Sequence, residues 1–373
     1  MSLNLANDKP LFTPGPLTTS RMVKQAMLRD LGSRDGEFLR VVREIRAQLL
    51  ELAQLQDDFE CVLMQGSGTF SVEAVMGSAT PPDGKILILA NGAYGKRMVK
   101  IADALRIPRV VIEYGEDCET NAADVERALQ DDASITNIAM VHSETTSGLV
   151  NDIHAVGAVA KKFNKLFFVD AMSSFGGIET DWSASNADYI VSSANKCIEG
   201  VPGFGFILAR RDALLQTEGW ARSLALDVFA QWKGLETDGQ FRFTPPTHAL
   251  LAFHQALSEL RDEGGVQARA ARYRANYETL MRGTRALGLR EYLRAEQQGH
   301  IIVSFRYPED ARFLFRTFYA RLNEKGFVIY PGKVGNANCF RIGCIGRLFP
   351  SDMQNLVHAM RATLDEMGVS PGA

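Results

Sequence analysis

Along the first two thirds of the chain, short runs of consecutive apolar residues alternate with stretches in which apolar positions return every three or four residues. A run that is apolar on successive positions suits a strand covered on both faces, and the three-to-four spacing suits a helix with one buried side. The pattern predicts strands at Cys61–Gln65, Lys85–Leu89, Arg109–Glu113, Ile135–Val141, Leu166–Val169, Tyr189–Ser193 and Gly205–Ala209. Helices are predicted between them at Phe70–Ser78, Tyr94–Leu105, Ala122–Gln130 and Asp152–Phe163. Strand then helix, repeated, means an α/β fold with a mostly parallel sheet covered by helices and right-handed crossovers. In such sheets functional residues gather at the carboxyl ends of the strands.

After about Pro245 the pattern changes. A long helical region, roughly Thr247–Leu287, leads to strands near Ile301–Phe305 and Asn338–Ile342 and helices near Ala311–Glu324 and Ser351–Glu366. The expected division is a large α/β domain over residues 21–246, a connecting helical region over 247–287 and a smaller α+β domain over 288–373.

Composition narrows the picture. Of 373 residues, 46% are hydrophobic and 23% charged, the balance of an ordinary globular protein. A formal net charge of −3 gives no basic excess for a nucleic-acid partner. The five cysteines are scattered without a C-x-x-C pair, which suits reduced thiols rather than a disulfide framework or zinc site. The start of the chain lacks the pattern of a secretory signal, and no apolar run approaches the ~20 residues of a membrane span. The expectation is a cytoplasmic protein with no membrane partner.

Three constellations stand at predicted strand ends. Gly66-Ser67-Gly68-Thr69 follows the first strand and precedes a helix, where bare backbone, free amides and two hydroxyls suit an anion. It matches neither a dinucleotide fingerprint nor a nucleotide P-loop, and a plain strand-to-helix turn stands as its alternative. Asp170 closes the run Leu-Phe-Phe-Val-Asp, where a carboxylate is costly to bury without a positive partner or strong donor. Its alternative is a helix cap. Lys196, in Ser192-Ser-Ala-Asn-Lys-Cys197, is followed by a glycine-rich stretch that can wall a close pocket. Desolvation there lowers a lysine's pKa and makes it a nucleophile toward carbonyls. An anion cradle, a buried acid and a pocket lysine on one sheet are what a pyridoxal phosphate site needs. The histidines have no metal-ligand spacing, and no metal is expected; His142 stands at a strand end near these groups without a role they require.

In these motifs, and in Phe12-Thr-Pro-Gly-Pro16, His142-Ser-Glu-Thr-Thr-Ser-Gly148, Val169–Gly177 and Ser193–Gly203, the chain resembles the fold-type-I, class V aminotransferases over nearly its whole length. Within that class it is most similar to the branch that transaminates 2-aminoethylphosphonate with pyruvate. The resemblance implies pyridoxal 5'-phosphate as cofactor, with Lys196 forming the Schiff base and Asp170 partnering the pyridine nitrogen. It implies Ser67, Gly68, Thr69 and Asn195 around the phosphate, Tyr94 stacked on the ring and Thr145 near the ring hydroxyl. Thr244, in Phe-Thr-Pro-Pro, would be supplied across a homodimer interface, so that the two active sites are shared. Arg341 would hold the substrate's acidic group with Gly15 nearby, and residues 1–20 would lie close to the site. An alanine–glyoxylate or serine–pyruvate type of aminotransferase would share every cofactor residue. A cysteine desulfurase would need a reactive loop cysteine, whereas Cys339 and Cys344 lie in or beside an apolar strand pattern. A catalytically silent binding protein on this fold would have no need of Lys196.

Overall fold

The computed structural model describes residues 8–335 and 337–370. Residues 1–7 of the expected N-terminal segment, and Asn336 and residues 371–373 of the expected C-terminal domain, lie outside the described residues.

The strands in chain order are β1 Phe59–Gln65, β2 Lys85–Ala90, β3 Arg109–Glu113, β4 Ile135–Val141, β5 Ser143–Glu144, β6 Leu149–Val150, β7 Leu166–Asp170, β8 Tyr189–Ser193 and β9 Phe204–Arg210. Beyond the central helices come β10 Ile302–Arg306, β11 Tyr330–Val334 and β12 Ala337–Gly343. Seven of them form one sheet in the order β1-β9-β8-β7-β4-β2-β3. The pairs β2/β3, β2/β4, β4/β7 and β7/β8 are parallel, as the alternating pattern predicts. β9 runs antiparallel to both of its neighbours, β8 and β1. Only residues 194–203 separate β8 from β9. That is too short for the crossover of a dozen or more residues that a parallel return requires.

The middle strands are mostly apolar because helices cover both sheet faces; β8 is buried along its whole length although it ends in Ser192 and Ser193. The helix Gly68–Ala79 packs on β8 and β9, and the helix Ala93–Ala104 packs on β2. The predicted helical region 247–287 is two helices, Thr247–Glu263 and Gly265–Ala286. They break at Gly264 and Gly265, whose φ values of +110° and +77° favour glycine. The longer one packs on the C-terminal helix Pro350–Glu366. A second core, built around Phe305, Phe318, Phe340 and Met360, fills the space between those helices and the antiparallel sheet β10-β12-β11. Every parallel strand of the large sheet points its carboxyl end to the same edge, which brings Gly66–Thr69, Tyr94, Asp170 and Lys196 together.

Candidate active site

At that edge lies a cavity of about 180 Å³, lined by Ser67, Gly68, Thr69, Val72, Tyr94, Arg97, Asp170, Met172, Ser193, Asn195 and Lys196. The turn after β1 opens with Gly66 at φ +106°, and its N–H donates to Gly203 O at 3.0 Å. Ser67 is the N-cap of the helix Gly68–Ala79 but makes no side-chain capping bond. The first amides of that helix have no intrahelical acceptor, so this end of the cavity offers N–H groups and a hydroxyl to an anion. A Cβ at Gly68 would lie 2.4 Å from Met172 Sδ, so the bare backbone is what leaves this wall open. Thr69 Oγ1 accepts from Arg97 Nη1 at 3.0 Å, and the Arg97 guanidinium sits 4.6 Å from the Tyr94 ring centroid.

The deep wall holds the two ionisable groups. Asp170 ends β7 and is buried; its Oδ1 accepts the Met172 N–H at 2.9 Å. Burial pushes its carboxyl up to about 6. Lys196 follows β8, and its Nζ donates to Pro14 O at 2.7 Å. Burial pulls its ammonium down to about 8. The N-terminal segment therefore closes over the lysine. Gly15, at φ +126°, packs so tightly that a Cβ would lie 3.0 Å from Lys196 Nζ and from Asn195 O. The segment is held in turn by Phe12, whose N–H donates to Val328 O at 2.8 Å and whose carbonyl accepts from Gly343 N at 3.0 Å.

Glu144, fully buried at the end of β5, fixes the helix that carries Tyr94. Its carboxylate accepts the N–H of Tyr94 at 3.2 Å and of Gly95 at 3.4 Å, and the Thr146 hydroxyl at 2.6 Å. A negative group at a helix N-terminus is favourable, which offsets part of the cost of burying it. Thr145 is buried beside it, sharing a 2.8 Å hydrogen bond with Ser173 Oγ. Asn195 accepts from Ser193 Oγ at 3.1 Å.

Arg341 stands on β12, half-buried. Its Nη1 donates to Thr145 O and its Nη2 to Pro331 O, each at 3.1 Å. Its Nε is buried and has no partner among the described residues. Thr244 is different: it is exposed and does not line the cavity of its own chain, although its carbonyl accepts from Gln65 Nε2 at 3.3 Å. His142 is buried against Trp182 and pulled down to about 4 by that burial, hence neutral at pH 7. It lies outside the cavity lining. Arg97, Met172 and Ser193 line the cavity without having been singled out in the sequence. Arg97 was detectable only through its spacing, three residues after Tyr94 and so on the same helix face.

The chain matches the family model described as aminotransferase class-V over residues 19–332. The chain belongs to the class V aminotransferases. Near full-length similarity extends to 2-aminoethylphosphonate–pyruvate transaminases: that of Vibrio vulnificus is 49% identical over 96% of this chain and 99% of its own. That of Klebsiella pneumoniae is 51% identical, covering 94% of this chain and 96% of its own. Among solved structures, alanine–glyoxylate aminotransferase from Nostoc superposes with a TM-score of 0.89 at 23% identity, covering 98% of this chain and 97% of that one. Pyridoxamine–pyruvate aminotransferase from Mesorhizobium loti does so with a TM-score of 0.87 at 24% identity, covering 97% and 93%. These two share the fold.

As a class V aminotransferase, the protein uses pyridoxal phosphate. The residues present fit that group: a bare helix start for its phosphate, and a buried acid facing a lysine whose environment disfavours the ammonium form. Cys339 and Cys344 are both buried, and burial raises the Cys339 thiol to about 11, so neither is a ready nucleophile.

Proposed function

We propose that this class V aminotransferase moves the amino group of 2-aminoethylphosphonate to pyruvate, giving phosphonoacetaldehyde and L-alanine. The observation that carries the reading is Arg341 on β12, bonded through Nη1 to Thr145 O, the residue after the Glu144 that holds Tyr94, on the side of a cavity lined by Lys196 and Asp170. Arg97, which lines the cavity, is engaged with Thr69 and the Tyr94 ring, whereas Arg341 keeps an Nε unpartnered among the described residues, which suits a substrate with an amine at one end and an acidic group at the other. The choice of phosphonate and pyruvate follows the names of the relatives that share half of this sequence.

When bound, pyridoxal phosphate supplies the carbonyl that takes the amino group and the ring that accepts electrons from the substrate carbon. The protein supplies the rest. Lys196, with its ammonium disfavoured by burial, gives a neutral amine more readily than a surface lysine and so can take a proton from that carbon and return it elsewhere. Asp170 places a carboxylate where a pyridinium nitrogen needs a negative partner. Ser67, Gly68, Thr69 and Asn195 would hold the phosphate, and Tyr94 and Thr145 would contact the ring. Arg341 exchanges its two backbone acceptors for the phosphonate of the donor or the carboxylate of pyruvate, gaining charge-assisted bonds to both Nη atoms. Gly15, packed against Lys196 with no side chain of its own, would border the substrate at its reacting end.

The same reading includes a homodimer in the cytoplasm in which each copy lends Thr244 to the other's site. Phe70 and Phe243, 52% and 45% exposed, support a covered face, since both gather around Gln65 and Gly66 at the cavity rim. Among the described residues no helix is long and apolar enough to cross a membrane.

A panel of 2-aminoethylphosphonate, L-alanine and L-serine as amino donors, each with pyruvate or glyoxylate, tests the assignment. The expected result is highest kcat/KM for 2-aminoethylphosphonate with pyruvate. Preference for alanine with glyoxylate, or for serine with pyruvate, would replace it with one of those activities.

A further inference from the structure

Lys196 and Arg341 sit on different units of the fold, and the reaction needs a fixed distance between them. The cavity side provides one link, the N-terminal segment from Phe12 to Pro14. A second link lies behind the site and is made of buried charge. The turn after the lysine closes with a 2.7 Å bond from Glu199 N to Lys196 O, and it puts Glu199 at φ +66°, a conformation uncommon outside glycine. The Glu199 carboxylate accepts from Arg272 Nη2 at 2.7 Å and from the Tyr273 hydroxyl at 2.6 Å. The other arm of the same guanidinium, Nη1, donates to Gly346 O at 2.7 Å and Leu348 O at 2.9 Å. Those carbonyls lie three and five residues beyond the end of β12, the strand that carries Arg341. Asn276, one turn along the same helix, adds bonds of 3.0 Å to Cys344 O and Leu348 O.

Arg269 secures the same turn, donating from Nη1 to Cys197 O at 2.7 Å and pairing through Nε with Glu263 at 2.8 Å. Glu263 also holds Arg272 Nε at 2.7 Å. The side chains of Arg269, Arg272 and Glu199 are 1%, 9% and 3% exposed. Ion pairs buried this deeply are often no more stabilising than apolar packing would be, so stability alone is a weak reason for them. A planar guanidinium with bonds on Nε and on both arms, by contrast, sets the separation of the groups it joins.

We propose that Arg272, acting with Glu199, is a positioning residue that sets Arg341 at its working distance from Lys196. This rests on the reading above that Arg341 holds the substrate's acidic group. The test uses the holoenzyme and its Arg272→Lys, Glu199→Gln and Arg341→Ala variants. It measures the dissociation constant of ethylphosphonate, an unreactive anion, through the cofactor's absorption band. It also measures kcat and KM for 2-aminoethylphosphonate and the single-turnover rate with n-propylamine, which has no acidic group.

Arg272→Lys is expected to weaken ethylphosphonate binding and raise KM by about tenfold or more, because a displacement of about 1 Å suffices for losses of that order. The n-propylamine rate and the cofactor spectrum should stay within about twofold of wild type. Equal losses on the acidic and neutral amines, or unchanged ethylphosphonate binding, would overturn the proposal. If Arg272→Lys fails to fold, Glu199→Gln carries the test, with the same acid-specific loss expected and its absence decisive. Arg341→Ala separates the two layers: if it leaves ethylphosphonate binding intact, the assignment of Arg341 fails. If it weakens binding while Arg272→Lys does not, the positioning role alone fails.

Discussion

At the scale of single residues, the site works against the stability of the chain that forms it. Lys196 is depressed to about 8 and Asp170 raised to about 6, both by burial. Above the lysine's ordinary 10.5 it is neutral folded or unfolded. As pH falls from there through 8, the unfolded chain takes up the proton first and the folded state loses ground. Asp170 behaves in the mirror sense: below 3.8 it is protonated in both states, and as pH rises through 6 the unfolded chain ionises first. Between pH 6 and 8 both residues therefore cost stability in the cofactor-free protein. Lys196→Met is expected to abolish transamination and to stabilise the cofactor-free protein at pH 7 by on the order of 1–3 kcal/mol. The gain should shrink as pH rises from 8 past 10.5, above which the lysine is neutral in either state; denaturant unfolding at several pH values checks this. Asp170→Asn keeps the shape and the Met172 contact but removes the charge. It is expected to lower turnover roughly 10²–10⁴-fold, with the cofactor still bound by its spectrum. An Asn variant as active as wild type would leave Asp170 as a cap on the Met172 amide.

At the scale of elements, the position of Tyr94 depends on how closely its helix approaches the sheet. Gly95 makes that approach possible: a Cβ there would lie 2.7 Å from Ala90 Cα and 3.2 Å from Leu89 O, both main-chain atoms of β2. Gly95→Ala should therefore lift the start of the helix and strain the two amides that Glu144 holds. A loss of about 1–3 kcal/mol in unfolding free energy is expected, with weaker cofactor binding in a spectroscopic titration. Elements of this kind were largely legible in the sequence, because seven apolar runs between helical patterns leave few alternatives. The helix Gly36–Ala53 carries the same signal in Phe38, Val41, Val42, Ile45 and Leu49, but it precedes the first strand and so stands outside the strand–helix alternation. β11 was hidden for a physical reason: Tyr-Pro-Gly-Lys-Val has no apolar run, and as an edge strand it tolerates proline. The reversed direction of β9 lay in the length of a connection, not in any residue. In the site, motif residues were legible because each stands at a strand end. Arg97 was not, since a basic residue on a helix reads as a solvated face until the neighbouring cavity is known. The Glu199–Arg272 pair joins residues 73 apart, a separation no local pattern reports.

At the scale of the whole molecule, Thr244 is a proposed site residue that does not line the cavity of its own chain. It is exposed, its carbonyl accepts from Gln65, and a proline pair follows it. Phe243 beside it and Phe70 on the same rim are large apolar groups facing outward, as at a surface that a second copy covers. If two copies exchange Thr244, each site is built from both chains, and a twofold axis makes the exchange reciprocal. Thr244→Ala alone should then weaken cofactor retention by about 1.5–3 kcal/mol, the worth of a hydrogen bond to a charged group. Lys196→Ala alone should have no turnover. A hybrid of the two variants contains one site with the lysine of the first chain and the partner's Thr244, both intact. Random reassortment of equal amounts makes half of the dimers hybrids with one good site in two, so activity should return to about one quarter of wild type. The comparison is made at low cofactor, where Thr244→Ala by itself is poorly loaded. Activity of the mixture no higher than the mean of the two separate variants, or a fully active monodisperse monomer at assay concentration, would show that each chain completes its own site.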